Sequence, residues 1–430
     1  AGRGSGAGAG GLTMLRHILS FERRLLLRNG VFWIVASVYA LLGFGMMASD
    51  DISYGGGVGN VLRNAPVVMI NLLAALSMFS VLLTTIFVAG IALRDFEQRS
   101  AELFFATPMR KRDYLLGRFG GGLTATLLVM LAAALGLWLG TLMPWLDAER
   151  LGPTPWSAYA WSFGVLVIPN LLFMSALLFL LATLTRSMLY TYIGVIGYFV
   201  LATVADYSLS DLDSRWIGAL LDPLGTTAVN EQTRYWSSTQ YNTQLPELTG
   251  LLLGNRALWL GVTVALLAVA FRLFRADREG LVLRRRKAVA AQPAPVSPVV
   301  APGADLSLPQ VALREGLAAR STQYRHLAWF DMRGALGGAP FLVMLILGLL
   351  MIFAGLKFGA SMYGTELYPV TRLMLTTLNG GMNLFLLIIV TFYAGELVWR
   401  ELSLRVAEAT DAYALPDWIP LASKLTSLAG

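Results

Sequence analysis

Side chains that carry out covalent or metal chemistry are nearly absent from this sequence. It has no cysteine, which excludes disulfides, thiolate zinc sites and cysteine nucleophiles. The two histidines, His17 and His326, belong to no His-Glu-x-x-His motif. None of the lysines follows a glycine, so the Gly-Lys-Ser/Thr ending of a phosphate-binding loop is missing. The sequence therefore predicts no catalytic residue, no metal site and no ATP site in this chain.

The chemistry that remains is charge placed in an apolar chain. Hydrophobic residues make up 56% of the 430 residues and charged residues only 14%, whereas soluble domains carry roughly 25% charged residues. The mean hydropathy is +0.63, and the net charge is +7. In such a chain a basic excess sets membrane orientation more often than it binds nucleic acid. We therefore expect an integral membrane protein, with the lipid bilayer and not a nucleic acid as its partner.

One segment between two apolar stretches, Arg94–Arg118, is long, charged and patterned. We predict that Arg94–Phe105 continues as a helix out of the membrane and that Thr107 and Pro108 start a second, short amphipathic helix. Such a hairpin would pack on a cytosolic partner or lie on the lipid headgroups; a solvated loop is the alternative. The candidate binding residues are Arg94, Asp95, Glu97, Arg99, Glu102, Pro108, Arg110, Lys111, Arg112 and Tyr114.

Four asparagines inside apolar stretches are candidates for lining a substrate path: Asn71, Asn170, Asn379 and Asn383. Polar groups in hydrocarbon face the bundle interior, and plain interhelical hydrogen bonding is the favoured alternative. Nearby, Pro169 predicts a kink. The spacing of Gly136 and Gly140 permits close contact between two helices.

The elements that must position these residues are apolar stretches long enough to cross a bilayer. Together they predict an all-α, polytopic transmembrane helical bundle. A ninth stretch begins near Leu425. The eight predicted spans are Val31–Ser49, Pro66–Leu93, Phe119–Leu146, Tyr159–Leu184, Met188–Ala205, Ala257–Phe271, Pro340–Leu356 and Val370–Val398.

The charges of the connecting loops predict the orientation. Basic residues cluster before the first span, between the second and third, and after the sixth, which places those segments and the N terminus in the cytoplasm. The opposite loop, Asp206–Arg256, is acidic and too long for a plain connection. Its Trp216, Tyr235 and Trp236 predict short interfacial helices, which would anchor in lipid or form a gate.

An internal repeat organises the chain. His17-x-x-x-Phe21-Glu22-x-Arg24 recurs as His326-x-x-x-Phe330-Asp331-x-Arg333, and Arg94-Asp95-x-x-x-Arg99-x-Ala101-Glu102 recurs as Arg400-Glu401-x-x-x-Arg405-x-Ala407-Glu408. The second block adds Arg400, Glu401, Arg405 and Glu408 to the candidate binding residues. The predicted domains are 1–13 (a tag or upstream low-complexity segment), 14–280 (a first six-span module), 281–322 (a basic, then Pro/Ala-rich cytoplasmic linker) and 323–430 (an incomplete second module).

The pattern Arg94-Asp95-x-Glu97-x4-Glu102-Leu103-x-x-Ala106-Thr107-Pro108-x5-Tyr114-Leu115-x-Gly117-Arg118 resembles the coupling segment of ABC-2-type permeases, the membrane part of ATP-driven exporters. The resemblance implies that this segment docks on a separate cytosolic ABC ATPase, which carries the ATP. It also implies an amphipathic N-terminal helix, here about Leu15–Arg28, at the cytoplasmic interface. A homodimer, or a pseudo-dimer of the two modules, in a bacterial inner membrane is expected.

A narrower resemblance rests on Thr233-Arg234-Tyr235-Trp236, on Gly250-Leu251-Leu252-Leu253-x-Asn255-Arg256, and on Gly395-Glu396-Leu397-Val398-Trp399-Arg400-Glu401. These segments are similar to duplicated permeases fused to a C-terminal gluzincin metallo-aminopeptidase. The resemblance implies that a zinc peptidase domain would follow residue 430 and that this chain is itself not an enzyme. The internal repeat, which places the start of a third span of the second module at Gly430, leads us to expect that this module is truncated there.

Other functions remain open on the residues alone. A membrane anchor for the downstream aminopeptidase is one alternative, although a duplicated, patterned loop argues against it. A secondary transporter is another, and it should carry acidic or histidine side chains deep in its spans, which the sequence does not show. An intramembrane enzyme would need paired catalytic side chains at depth, which are also not found.

Overall fold

The computed structural model describes 6–49, 60–98, 100–107, 109–207, 215–274 and 316–338, with shorter stretches at 341–346, 348–349, 361–362, 365–366, 371–372, 375, 389–390, 393–395, 397–398, 416 and 418–429. The chain forms two compact units. The first comprises Ala1–Leu281 and Phe353–Pro369, and the second comprises Val282–Ile352 and Val370–Gly430.

The first unit is almost entirely helical. Two strands of two residues each, β1 (Ser361–Met362) and β2 (Thr365–Glu366), pair antiparallel, and Ala148–Arg150 is a single 3₁₀ turn. The helices, in chain order, are α1 (Gly6–Arg28), α2 (Gly30–Ala48), α3 (Pro66–Glu97), α4 (Ala101–Phe105), α5 (Lys111–Gly140), α6 (Trp156–Thr185), α7 (Met188–Tyr207), α8 (Arg215–Leu221), α9 (Thr226–Thr233), α10 (Ser238–Thr243) and α11 (Gly250–Leu273).

Five helices of the described chain have the length and hydropathy of membrane spans: α2, α3, α5, α6 and α11. The protein is therefore an integral membrane protein, built as an all-α polytopic bundle. The predicted fifth span is α7, whose 20 residues give about 30 Å of helix, although its apolar part is the shorter Met188–Ala202. Most of the predicted seventh and eighth spans lies outside the described residues.

Helices α3 and α6 form the centre of the bundle, since 67% of the apolar window of each is buried, against 22% for α2 and α11. Each central helix contains one π-helical turn, at Thr84–Ala89 in α3 and at Phe163–Val167 in α6. The second turn has a local cause. Pro169 lacks the N–H that would bond to the carbonyl of Val165, so the regular ladder is interrupted where the sequence predicts a kink.

Helix α2 packs along α5 through small residues. A Cβ atom added at Gly136 would overlap the carbonyl oxygen of Ala40, and one added at Gly140 would lie 2.9 Å from the carbonyl oxygen of Phe44. The close contact predicted from these two glycines is confirmed. It matters because helix association in lipid depends on van der Waals packing and not on hydrophobic burial.

Helix α1 precedes the first span, and it begins at Gly6, inside the segment predicted to lie upstream of the fold. It ends where Asn29 caps α2 by accepting a hydrogen bond from the Val31 amide. Ile18 and Glu22 of α1 lie directly against glycines of α5. The predicted amphipathic helix Leu15–Arg28 is therefore present, and it packs on the start of the third span.

The segment between the second and third spans differs from its prediction. Helix α3 ends at Glu97, α4 covers only Ala101–Phe105, and α5 runs unbroken from Lys111 into the membrane. The prediction of a separate second helix is wrong. Tyr114 and Leu115 are buried in the bundle, so the residues from Lys111 onward form the first turns of the third span.

The predicted short helices of the outer loop are present as α8, α9 and α10. Asp222 organises the turn between α8 and α9, since its carboxylate accepts hydrogen bonds from the amides of Leu224 and Thr227. A capping box formed by Ser237 and Gln240 starts α10. Trp216 and Tyr235 are 55% and 86% exposed, which suits residues at a membrane–water interface.

The described part of the second unit includes α12 (Leu317–Leu336) and α13 (Trp418–Ala429), which pack on each other. Helix α12 carries the repeated block. Its Asp331 is buried while Phe330 is exposed, as Glu22 is buried and Phe21 exposed in α1. At the repeat offset of the second block, α13 corresponds to the start of α5. The α12–α13 pair therefore repeats the α1–α5 pair.

Candidate functional site

A cluster of buried charges lies where α1, α3 and α5 meet. We define this charge cluster as Glu22 of α1, Arg94 and Asp95 at the end of α3, and Tyr114 and Arg118 at the start of α5. Four of the five side chains are buried, and Arg94 is 20% exposed. Four of them belong to the predicted segment Arg94–Arg118, and three of these, Arg94, Asp95 and Tyr114, are candidate binding residues. Glu22 comes from the N-terminal repeat block.

The charge cluster is a continuous chain of hydrogen bonds. Arg94 Nη2 donates to Glu22 Oε1 at 2.6 Å, and Arg118 Nη1 donates to the same oxygen. Arg118 Nη2 donates to Asp95 Oδ2 at 2.5 Å, and the hydroxyl of Tyr114 donates to that oxygen at 2.8 Å. Two arginines thus face two carboxylates, and the cluster carries no net formal charge.

Burial of the three charges of Glu22, Asp95 and Arg118 is tolerated because each charge has an opposite partner. Desolvation costs several kcal/mol per ion, and only well-formed pairs offset it. Gly121 of α5 provides the close approach that this needs, since an added Cβ atom would lie 2.7 Å from Cβ of Glu22. The cluster therefore fixes α1 against α5 in one position.

An aromatic cluster of Phe96, Phe105, Tyr114 and Phe274 adjoins the charge cluster, with ring centroids 5.3–6.3 Å apart. Phe274 directly follows α11, and its carbonyl accepts a hydrogen bond from Lys111 Nζ at 2.5 Å. The guanidinium of Arg186, the residue that ends α6, lies 4.3 Å from the Phe96 ring. The ends of α3, α5, α6 and α11 therefore converge on the segment between the second and third spans.

The outer surface of this segment is exposed. We define this exposed hairpin as residues 97–112; Leu103 is 75% exposed, and Glu97, Arg110, Lys111 and Arg112 are exposed as well. The predicted binding residues thus divide into two groups. Arg94, Asp95 and Tyr114 are held in the charge cluster, and Lys111 bonds to the Phe274 carbonyl although its side chain is largely exposed. Glu97, Arg110 and Arg112 are exposed.

The side chains of several predicted binding residues and path-lining asparagines are not described by the structure. Glu102 belongs to α4, but its side chain is not among those described. The others lie outside the described residues altogether: Arg99, Pro108, Asn379, Asn383, Arg400, Glu401, Arg405 and Glu408.

A second polar network lies in the other half of the bundle, around Asn170 of α6. Asn170 Nδ2 donates to Ser77 Oγ of α3 at 3.0 Å and to the carbonyl of Leu224 at 3.2 Å. Its Oδ1 accepts from Arg256 Nη1 at 2.9 Å. Asn170 therefore bonds helices together, as the alternative explanation held. Asn71, the other described residue among the four candidate path-lining asparagines, is half-buried in α3.

Arg256 was placed in the outer loop by the sequence, and this placement is wrong. Helix α11 begins at Gly250, so Arg256 lies two turns inside it and is only 4% exposed. Its guanidinium bonds to Asn170, to Asn255 and to the carbonyl of Pro223. A span assignment based on hydropathy leaves an arginine out of the membrane. In the structure, hydrogen-bond acceptors inside the bundle surround the Arg256 guanidinium and allow its burial. The dipeptide Asn255-Arg256 inside an apolar run was the available signal.

Glu22 was the other functional residue that sequence reasoning left unassigned. It stood in the repeat block as a position shared with Asp331, but spacing alone does not indicate which arginine a carboxylate meets. Its partners Arg94 and Arg118 are 72 and 96 residues away in sequence.

The chain matches no protein-family model, and no curated protein sequence is similar to it.

Proposed function

We propose that this chain is the membrane-spanning permease component of an ATP-driven exporter of the ABC-2 type. A cytosolic ABC ATPase would bind the exposed hairpin, and ATP would be bound and hydrolysed on that partner. The proposal places the N terminus and the hairpin in the cytoplasm, in keeping with the basic residues of these segments. A bacterial inner membrane is the proposed location.

One observation carries the proposal: an exposed, positively charged hairpin is joined to the bundle by buried charges. The hairpin offers Arg110, Lys111 and Arg112 at its surface. The residues that flank it, Arg94 and Asp95 on one side and Tyr114 on the other, belong to the charge cluster, which joins α1, α3 and α5. A solvated loop that served only for topology would need no such attachment.

The attachment gives a route for mechanical coupling. Buried ion pairs resist separation, because removing a partner leaves a charge uncompensated in a low dielectric. A partner that displaces the hairpin would therefore move the ends of α3 and α5 together with it. Because Phe274 and Arg186 contact the same aromatic cluster, the ends of α11 and α6 would follow. Proteins commonly switch between two conformations in this way, because packed helices have two discrete arrangements and a shift at one site moves the helices from one arrangement to the other.

The two modules would contribute unequally to this docking. The second unit repeats the helix pair α1–α5 as α12–α13 and supports a pseudo-dimer of modules. However, Pro416, Asp417 and Trp418 stand at the positions equivalent to Arg110, Lys111 and Arg112. The proposed basic docking surface therefore belongs to the first module alone.

The test is charge reversal at exposed hairpin residues that take no part in the buried contacts. We expect Arg110→Glu/Arg112→Glu to abolish co-purification with a cytosolic ATPase and to remove the stimulation of its ATP hydrolysis. The side chains are exposed, so folding should be unaffected.

The matched control is Arg24→Glu/Arg28→Glu, which reverses two exposed charges of α1 and should leave the complex intact. If the hairpin variant kept both the complex and the ATPase rate, the proposed docking function would be wrong.

A further inference from the structure

A cavity of about 550 Å³ opens between α1 and α5, on the side of α1 that does not face the charge cluster. It is lined by Arg16, His17, Leu19, Ser20, Arg23 and Thr124. Five of its six lining residues belong to the stretch 16–23 of α1, which also carries Glu22 and packs on the first turns of α5, and the sixth is Thr124 of α5. The cavity therefore lies beside the charge cluster, at the start of α5. This is where the third span is predicted to enter the membrane, at the depth of the headgroups.

The cavity carries two positive charges, those of Arg16 and Arg23. Within the described part of the chain, no carboxylate lies within ion-pair distance of Arg16 or Arg23. The nearest acid on α1, Glu22, turns to the other side and pairs with Arg94 and Arg118. The two guanidiniums are therefore available to a bound anion.

The two hydroxyl groups that line the cavity already donate their hydrogens to backbone carbonyls. Ser20 Oγ donates to the carbonyl of His17 at 3.0 Å, and Thr124 Oγ1 donates to that of Gly120 at 2.7 Å. Because both hydroxyl hydrogens are engaged, we assign the binding of a ligand to the guanidinium N–H groups of Arg16 and Arg23. Arginine binds phosphate oxygens well, because its planar fork matches their geometry.

An apolar stripe leads from the cavity into the membrane. Thr124, Leu128, Leu131 and Leu135 recur at helical spacing on one face of α5. The three leucines are exposed, by 38%, 48% and 58%. This stripe begins at the cavity and extends about 16 Å toward the centre of the span. It has the direction and the length to hold an acyl chain.

We propose that this cavity binds one anionic membrane phospholipid, with its phosphate between Arg16 and Arg23 and an acyl chain along Leu128, Leu131 and Leu135. Basic pockets between membrane helices on the cytoplasmic side suit such headgroups. The apolar stripe is what favours a lipid over free phosphate. The site is separate from the exposed hairpin and does not depend on the proposed export function.

The test measures lipid retention by native mass spectrometry on the purified full chain. The probes are dioleoyl phosphatidylglycerol and, for comparison, dioleoyl phosphatidylcholine. We expect the wild type to retain one phosphatidylglycerol, and Arg16→Gln/Arg23→Gln to retain it about 30-fold more weakly, the loss expected for two arginines facing an anionic headgroup. Phosphatidylcholine should show no such difference.

The matched control, Arg24→Gln/Arg28→Gln, removes the same charge from exposed positions of α1 outside the cavity and should retain the lipid as the wild type does. Equal losses in the two double variants would show nonspecific attraction and overturn the proposal.

The apolar half of the site has its own test. Leu131→Ala/Leu135→Ala should weaken phosphatidylglycerol retention, and millimolar inorganic phosphate should fail to displace the lipid. If phosphate displaced it and the leucine change had no effect, the cavity would be a simple anion site and the lipid assignment would be wrong.

Discussion

Glu22 shows how much one carboxylate decides in this protein. It accepts hydrogen bonds from Arg94 and Arg118, so it neutralises guanidiniums from two different spans. Arg118 is 3% exposed and its Nε has no hydrogen-bond partner in the described structure. The ion pairs with Glu22 and Asp95 are therefore the main compensation for burying its charge, and the rings of Phe104 and Tyr114, 5.4 and 5.5 Å from the guanidinium carbon, add to it.

We expect Glu22→Gln to destabilise the protein by about 3–5 kcal/mol, because it leaves an uncompensated charge in a buried cluster. The measurement is the midpoint of thermal unfolding in detergent. Glu97→Gln, an exposed acid at the end of α3, serves as the control and should leave the midpoint unchanged. A double-mutant cycle with Arg118→Gln should show a coupling energy; strictly additive losses would contradict the pairing.

The buried Arg256 gives a second prediction at this scale. Arg256→Met should cost about 3–5 kcal/mol, since Asn170, Asn255 and the carbonyl of Pro223 would lose their donor inside the bundle. Arg234→Met is the matched control, because the Arg234 side chain is 40% exposed. Equal unfolding midpoints for the two variants would show that the network contributes nothing to stability.

At the scale of elements, the contact between α2 and α5 depends on glycine. Gly136 lies against the backbone of Ala40 so closely that no side chain fits. The pattern of small residues predicted close contact with some helix, but it did not identify the partner. Only packing in three dimensions assigns Gly136 and Gly140 to α2, and Gly121 of the same helix to α1.

Gly136→Ala should destabilise the bundle by about 1–3 kcal/mol, as overpacking does, despite the gain of about 1 kcal/mol in helix propensity. Gly261→Ala in α11 is the control, because an added Cβ atom there meets nothing within 4 Å; it should be neutral or stabilising. Resistance to unfolding by heat in detergent reports both. A Gly136→Ala variant as stable as the control would contradict the packing described.

At the scale of the whole molecule, the charge cluster and the network around Asn170 and Arg256 involve different ends of the helices of the first unit. The charge cluster joins the ends of α3 and α5 to α1, and the Asn170–Arg256 network joins α6 and α11 to the turn between α8 and α9. Loop charges predict that the first network faces the cytoplasm and that the second lies toward the opposite side. This orientation is the premise of the proposed docking.

The absence of cysteine allows a direct test of the orientation. Arg112→Cys and Tyr235→Cys each introduce one thiol at an exposed position. In intact cells a membrane-impermeant maleimide should label the cysteine at position 235 and not that at position 112. Both should react after the membrane is permeabilised. The reverse labelling pattern would invert the topology and remove the docking surface from the cytoplasm.

By itself the sequence determined the fold class, the approximate positions of the described spans of the first unit and the likeness between the two repeat blocks. These follow from hydropathy and helical spacing, which are local properties. Tertiary structure decided which buried charges meet. Glu22 reaches Arg94 and Arg118, and Arg256 enters the bundle, because the fold supplies partners across long separations in sequence. A hydropathy scale assigns each charged residue the free-energy cost of burial as an isolated ion. In the folded protein that cost is offset only when packing brings an oppositely charged or hydrogen-bonding partner within hydrogen-bond distance.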